Sequence, residues 1–285
     1  MQLTTPVIIT PATLSIDYST PMLLLGSCFT DEVGERLQAA GFDTLCNPFG
    51  TLYNPLSIAA CLWRAIDNRL MVGDELVGYD GLWHSWMHHS RFSHEDKDVC
   101  LTRCNQSISQ VHQYLSRHPL LVVTFGTAWV FYHNGSLVAN CHKLPSQQFV
   151  RRRLDVGEIV DVWQPLMERL GTDILFTVSP IRHMANGAHG NQLSKATLLL
   201  ATERLVERRE QAYYFDSYEL LMDELRDYRY YARDMCHPSD VAVDVVWERF
   251  QQAYMTAATR EQVRQREKVF RQSQHRKLIK LKIES

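Results

Sequence analysis

The chain has 285 residues, with 30 Lys and Arg set against 32 Asp and Glu for a formal charge of −2. It is 45% hydrophobic and 22% charged, a globular mixture that excludes a disordered or fibrous chain. The near-balance of charge argues against a dedicated nucleic-acid or anionic-surface binder, and no apolar run approaches the ~18–20 residues of a membrane span, so no stable membrane insertion is expected.

Met22 to Leu25 is a short apolar run stopped by Gly26, which suits a buried strand. Asp31 to Ala40 carries Val33, Leu37 and Ala40 on one helical face and ends at Gly41. Leu56 to Ile66 reads as a helix beginning just after Pro55, and Ile108 to Leu115 as another. Leu120 to Phe125 reads as a central strand stopped by Gly126. Val130–Tyr132 and Leu137–Ala139 flank His133-Asn134-Gly135-Ser136, where Asn-Gly signals a hairpin. Val160 to Leu170 is helical, Ile174 to Val178 is a strand ending at Ser179-Pro180, and Gln192 to Arg209 is a long helix. Tyr213 to Phe215 is a short strand and Val241 to Ala258 a late helix.

Strands alternating with amphipathic helices predict a mostly parallel sheet covered on both faces. Such sheets bind ligands at their carboxyl edge, which directs attention to the residues just after each strand. No secretory pattern is read between Met1 and Leu14, and the seven scattered cysteines do not form a disulfide framework; the expected location is a reducing cytoplasm.

After the first strand stands Gly26-Ser27-Cys28-Phe29-Thr30-Asp31. Gly permits a tight turn, and Ser27 and Cys28 then meet a helix N-terminus whose free N–H groups favour a thiolate or a developing oxyanion. The same residues would serve as a helix cap and a buried filler. Near the other end of the chain, Asp234 and His237 are three residues apart, so the carboxylate can fix the imidazole tautomer and leave the second ring nitrogen as a base. A nucleophile turn early, with Asp and His together and late, makes a candidate triad.

That order resembles the SGNH/GDSL hydrolases and, more narrowly, the GSCFA-domain family, whose five-letter first motif is matched by Gly26, Ser27, Cys28 and Phe29, with Thr30 in place of Ala. Asn47-Pro48-Phe49-Gly50-Thr51-Leu52-Tyr53-Asn54-Pro55, Asn140-Cys141-His142-Lys143, Ser179-Pro180-Ile181-Arg182-His183 and Asp223 to Arg229 look family-like as well. The resemblance implies a three-layer α/β/α sandwich with a flavodoxin-like, SGNH-type sheet in residues 1–258, followed by a basic, helical tail over 259–285. It implies an esterase or acyltransferase acting on a small acyl ester or thioester without a cofactor, the alternative being a non-catalytic ligand-binding protein on a degenerate version of the fold. Laid on the superfamily's first block without a gap, Cys28 takes the nucleophile place; a register shifted by one gives it to Ser27. Gly50 corresponds to a backbone oxyanion donor. The third block, which carries an Asn, reads Gly126-Thr127-Ala128-Trp129 here, leaving Asn54, Asn140 or His142 as substitutes.

The stretch from Trp83 to His94 is dense in His and aromatics. His84 and His88 have the spacing of a metal pair, but no metalloprotease pattern surrounds them; a substrate-facing loop or a hydrogen-bonded core is expected, the family resemblance favouring a loop that lines the active-site mouth, and no metal is assigned. Arg182, His183, Asn191 and Lys195 fall in one strand-to-helix connection, where Arg182 and Lys195 are expected either to meet a carboxylate or phosphate or to pair with local acids. Arg151-Arg152-Arg153 reads as a solvated basic run, and the tail, with nine Lys/Arg and three Glu from Arg260 on, as a solvated, partly frayed helix.

Overall fold

The computed structural model describes residues 4–9 and 13–283. In chain order, β1 (Met22–Gly26) leads into α1 (Cys28–Ala39), then β2 (Thr44–Cys46) and α2 (Pro55–Ile66). A hairpin of β3 (Leu76–Tyr79) and β4 (Leu82–Ser85) precedes α3 (Lys97–Leu115). After β5 (Leu120–Phe125) come β6 (Trp129–His133), β7 (Ser136–Val138), β8 (Val150–Arg153) and α4 (Val156–Leu170). Then follow β9 (Ile174–Val178), α5 (Gly187–Glu207), β10 (Ala212–Phe215), the short α6 (Ser217–Glu219), α7 (Asp240–Tyr254) and α8 (Ala257–Ile283).

The main sheet has the order β10-β9-β5-β1-β2, parallel throughout. Counting only its own five strands along the chain, that order is 2-1-3-4-5, the flavodoxin-like winding. Successive side chains of a strand face opposite ways, so Met22 and Leu24 pack with Phe29, Leu37, Trp247 and Phe250 of α1 and α7. Leu23 and Leu25 face Leu62, Val111, Trp163 and Leu198 of α2 to α5. Burial on both faces is why the central strands read as unbroken apolar runs. The three-layer α/β/α sandwich expected from the alternation is therefore the observed fold. No helix among the described residues is long and apolar enough to cross a membrane.

Differences from the expected elements have local causes. Apolar periodicity marks α3 and α4 only from their first apolar stripe, whereas polar caps start both helices earlier. α3 begins at Lys97 because Asp96 accepts the N–H groups of Asp98 (2.8 Å) and Val99 (3.1 Å). α4 begins at Val156 behind an Asp155–Glu158 capping box. The late helix is two helices: Met255 is extended, and Thr256 Oγ1 accepts the Thr259 N–H (3.2 Å) to start α8. The start of α8 is docked rather than frayed. Val263 is buried, the Trp247 indole donates to Glu267 (2.9 Å), and Arg266 lies 4.0 Å over the Tyr18 ring. Residues 284 and 285 of the expected tail lie outside the described residues. Asn134 and Gly135 both have positive φ (48° and 77°), the backbone that an Asn-Gly hairpin turn requires. That hairpin, β6–β7, gains β8 on its other side to form a second small sheet.

Candidate active site

The site is built where four strand ends are stitched together. Gly26 has φ +150°, and a Cβ there would collide with the Thr124 carbonyl, so only glycine fits. Asn47, buried and left-handed (φ 41°), accepts the Gly26 N–H on Oδ1 (2.9 Å) and donates from Nδ2 to Asp31 (2.7 Å). The loop that follows passes under β5: the Tyr53 carbonyl accepts both the Gly126 N–H (2.9 Å) and the Thr127 N–H (2.8 Å). Lys195 of α5 is buried and donates to the carbonyls of Gly126 (2.7 Å) and Ser179 (2.6 Å), tying the ends of β5 and β9 together.

A cavity of about 450 Å³ opens at this edge. Ser27, Cys28, Tyr53, Asn54, Thr127, Trp129, Phe131, Arg151, Arg182, His183 and His237 are among the residues that line it. Cys28 is the first residue of α1 and half-buried, with its Sγ 3.6 Å from the Tyr53 hydroxyl. Ser27 is the residue before the helix; it is 1% exposed and its Oγ has no hydrogen-bond partner among the described residues. Burial, and then the nearby Cys28 thiol, push the Tyr53 phenol above its ordinary pKa, so it stays protonated beside the sulfur.

His237 and Asp234 sit on a loop clamped to the strand ends. The Arg182 N–H donates to the Cys236 carbonyl (3.0 Å), and the Ala232 N–H to the His237 carbonyl (2.8 Å). Asp234 Oδ1 accepts the N–H groups of Cys236 (2.9 Å) and His237 (3.0 Å), while Oδ2 lies 2.5 Å from His237 Nδ1. The backbone donors of His237 and Cys236, then the His237 ring, hold the Asp234 carboxyl down at about 2. An ionised Asp234 only accepts, so it selects the tautomer with Nδ1–H and leaves Nε2 as the basic nitrogen. His237 makes no hydrogen bond to Cys28 or Ser27.

Of the substitutes expected for the third-block Asn, only Asn54 reaches the cavity. It caps α2, with Oδ1 accepting the Ser57 N–H (2.9 Å), and Nδ2 makes no hydrogen bond among the described residues. Asn140 instead turns its Oδ1 to the His142 N–H (2.9 Å). His142 is buried, with Nε2 on the Ser85 carbonyl (2.7 Å) and its ring against His84 (4.5 Å). Gly50 is also corrected: its N–H is used by the Asn47 carbonyl (2.7 Å), and its α-carbon packs against His89, so it offers no donor to the cavity.

The His-rich stretch is a hydrogen-bonded core rather than a mouth. His84 contacts Ser93 Oγ (2.7 Å) and the Tyr79 carbonyl (3.1 Å); His88 contacts Ser85 Oγ (2.8 Å) and Ser107 Oγ (3.1 Å). Burial pushes His88 down to about 3 and His142 to about 4. His183 does reach the cavity. Its N–H is held by Asn191 (2.9 Å), its ring meets Tyr53 edge-on (6.1 Å), and burial, helped by Lys195, His237 and Arg151, keeps it neutral with a pKa of about 4. Arg182 lines the same cavity and also borders a second one of about 370 Å³ beside Tyr218, Tyr228 and Tyr231. Lys195 meets no anion, because both of its strong contacts are carbonyls.

The residues that sequence reasoning missed are Tyr53, Trp129, Phe131 and Arg151. Tyr53 lies inside the Asn47–Pro55 stretch, which is the one signal that pointed to it. Arg151 belongs to β8, opposite Phe131, with its guanidinium 4.3 Å from the Trp129 ring centre and 5.3 Å from that of Phe131. Nothing in three consecutive arginines announces that pairing.

Fold and site together define a doubly wound α/β protein with a thiol, an Asp–His pair and an open cavity at the carboxyl edge of its sheet. The GSCFA family model matches residues 21–250, and the chain belongs to the GSCFA family. No curated protein and no solved structure matches it.

Proposed function

We propose that the protein is an acyl-ester hydrolase or acyltransferase of the SGNH/GDSL kind, with Cys28 as nucleophile, His237 as general base and acid, and Asp234 orienting His237. The observation that carries this reading is that Cys28, at the start of α1, and His237, from a loop more than two hundred residues later, line one cavity. Cys28 is preferred to Ser27 because its sulfur is partly open while Ser27 is buried. The family resemblance supports the same register, and a reducing cytoplasm would keep the thiol available.

In the proposed reaction the Cys28 thiol passes its proton to His237 Nε2, and the sulfur attacks the acyl carbon. The negative charge on the carbonyl oxygen is met by the Cys28 N–H, free at the helix start, by Asn54 Nδ2 and by the neutral Tyr53 hydroxyl. The carbon–oxygen or carbon–sulfur bond to the leaving group breaks, and His237 returns the proton to that group. Water or an acceptor alcohol or amine, deprotonated by His237, then cleaves the thioester and restores the thiol.

A second reading, a non-catalytic ligand-binding protein, is favoured by the lack of a hydrogen bond between His237 and the thiol and by Ala128 at the third-block Asn place. Time-resolved mass spectrometry with an activated small ester or thioester separates the two. The catalytic reading expects an acyl adduct on Cys28 that forms and turns over, and that forms far more slowly in His237→Ala. No adduct, or an equal rate in His237→Ala, favours the binding reading.

A further inference from the structure

The wall of the catalytic cavity is one-sided in charge. Arg151 and Arg182 line it as fixed cations, beside the neutral His183 and the His237 base, and no Asp or Glu does. Asp234, bonded to the His237 of this wall, is already satisfied by that ring and two N–H groups.

Arg151 differs from its neighbour on the same strand. Arg152 makes two contacts to the Glu158 carboxylate (2.8 and 2.6 Å) and is neutralised. Arg151 forms no ion pair among the described residues; its Nη1 donates to the neutral Asn186 amide (2.6 Å), and its flat face lies on Trp129 and Phe131. Stacking immobilises a guanidinium and leaves its in-plane N–H fork available, which is the geometry that matches an oxyanion. Arg151 is exposed like the rest of β8, and the modest desolvation that its stacking brings disfavours its charge with no carboxylate to offset it. Arg182 is similar: Nη1 donates to the Met235 carbonyl (3.2 Å), and its guanidinium faces Tyr231 at 5.5 Å. Asp223 and Asp227 border the second cavity with Arg182 but form no ion pair with it, and Asp227 pairs with Arg229.

We infer that the cavity selects acyl substrates bearing an oxyanion group, a carboxylate or a phosphate, and that Arg151, stacked on Trp129 and Phe131, is the residue that reads that group, with Arg182 as the second cation. This rests on the catalytic reading above and names the substrate class of the same site.

Two measurements test it. The first compares kcat/KM for matched p-nitrophenyl esters whose acyl chains end in a methyl, a carboxylate, a phosphate or a trimethylammonium group. The expected preference for an anionic over the neutral chain is roughly tenfold or more; it collapses in Arg151→Met and is partly kept in Arg151→Lys. The carboxylate and phosphate arms identify which oxyanion is taken. An anion-to-neutral ratio near one, or one unchanged in Arg151→Met, overturns the inference while leaving the catalytic reading intact. The second is calorimetric binding of the corresponding dicarboxylate and alkyl phosphate, which needs no turnover. Anion binding that is lost in Arg151→Met supports the site even if no ester is cleaved, the outcome in which the catalytic reading alone fails. Absent binding, or equal binding in Arg151→Met, overturns the site.

Discussion

Asn54 shows how one side chain serves fold and site together. Its Oδ1 caps α2 through the Ser57 N–H, which fixes the amide so that Nδ2 is the group left over at the cavity wall. The two roles separate by substitution. Asn54→Ser retains a good cap but withdraws the amide donor, so stability is expected to change by less than about 0.5 kcal/mol. The same variant is expected to lose on the order of 100-fold in kcat with KM little changed, as for the loss of one oxyanion donor. Steady-state kinetics and urea unfolding on the same preparation check both halves. The missing third-block Asn was visible in Gly126-Thr127-Ala128-Trp129, but which of Asn54, Asn140 and His142 replaces it was not. That choice depends on the path of the 47–55 loop under β5, a long-range contact with no local signature.

At the scale of elements, the carboxyl edge depends on Lys195, which reaches from α5 to the ends of both β5 and β9. Burial brings its pKa down to about 7 from 10.5. Below that value both folded and unfolded chains carry the proton and the cost of burying the charge is complete. Between pH 7 and about 10 the unfolded chain binds more proton than the folded one, so this group makes stability rise with pH by up to about 1.4 kcal/mol per unit. Lys195→Met is expected to remove that slope, read as the difference between variant and parent in urea unfolding at pH 7, 8 and 9. An identical slope in both would contradict the buried, depressed lysine. The strands themselves were readable because a parallel strand covered on both faces must be apolar throughout, as Leu120 to Val123 is. The helix starts were not, because they are set by caps such as Asp96 and Asp155 rather than by periodicity. Strand β8 was hidden for a related reason: three of its four residues are charged, and its place follows only from its register against β6.

For the whole molecule, acid is the expected weakness. His88 and His142 titrate at about 3 and about 4 in the folded chain because they are buried and hydrogen-bonded as neutral rings. Above pH 6.5 they are neutral in both states and contribute no pH dependence. As pH falls below 6.5 the unfolded chain takes up protons that the folded chain refuses, so stability falls down to about pH 4. Two such groups give a slope of up to about 3 kcal/mol per pH unit near pH 5. Unfolding free energies from pH 7 to 4.5 check this, and a flat profile would contradict it. The fold class was open to sequence reasoning because alternation of strand and helix is a global pattern. The Gly-Ser-Cys turn and the Asp-x-x-His loop were open to it because each is a short local motif. The aromatic and arginine wall of the cavity was not, since it is assembled by the small β6–β7–β8 sheet from segments that are unremarkable alone.

Peptide mapping after single-turnover reaction with an activated ester decides whether Cys28 is a nucleophile served by His237. A stoichiometric acyl group is expected on the sulfur of Cys28, absent from Cys28→Ala and slowed in His237→Ala. An adduct on Ser27, an adduct elsewhere on the chain, or none at all would contradict it.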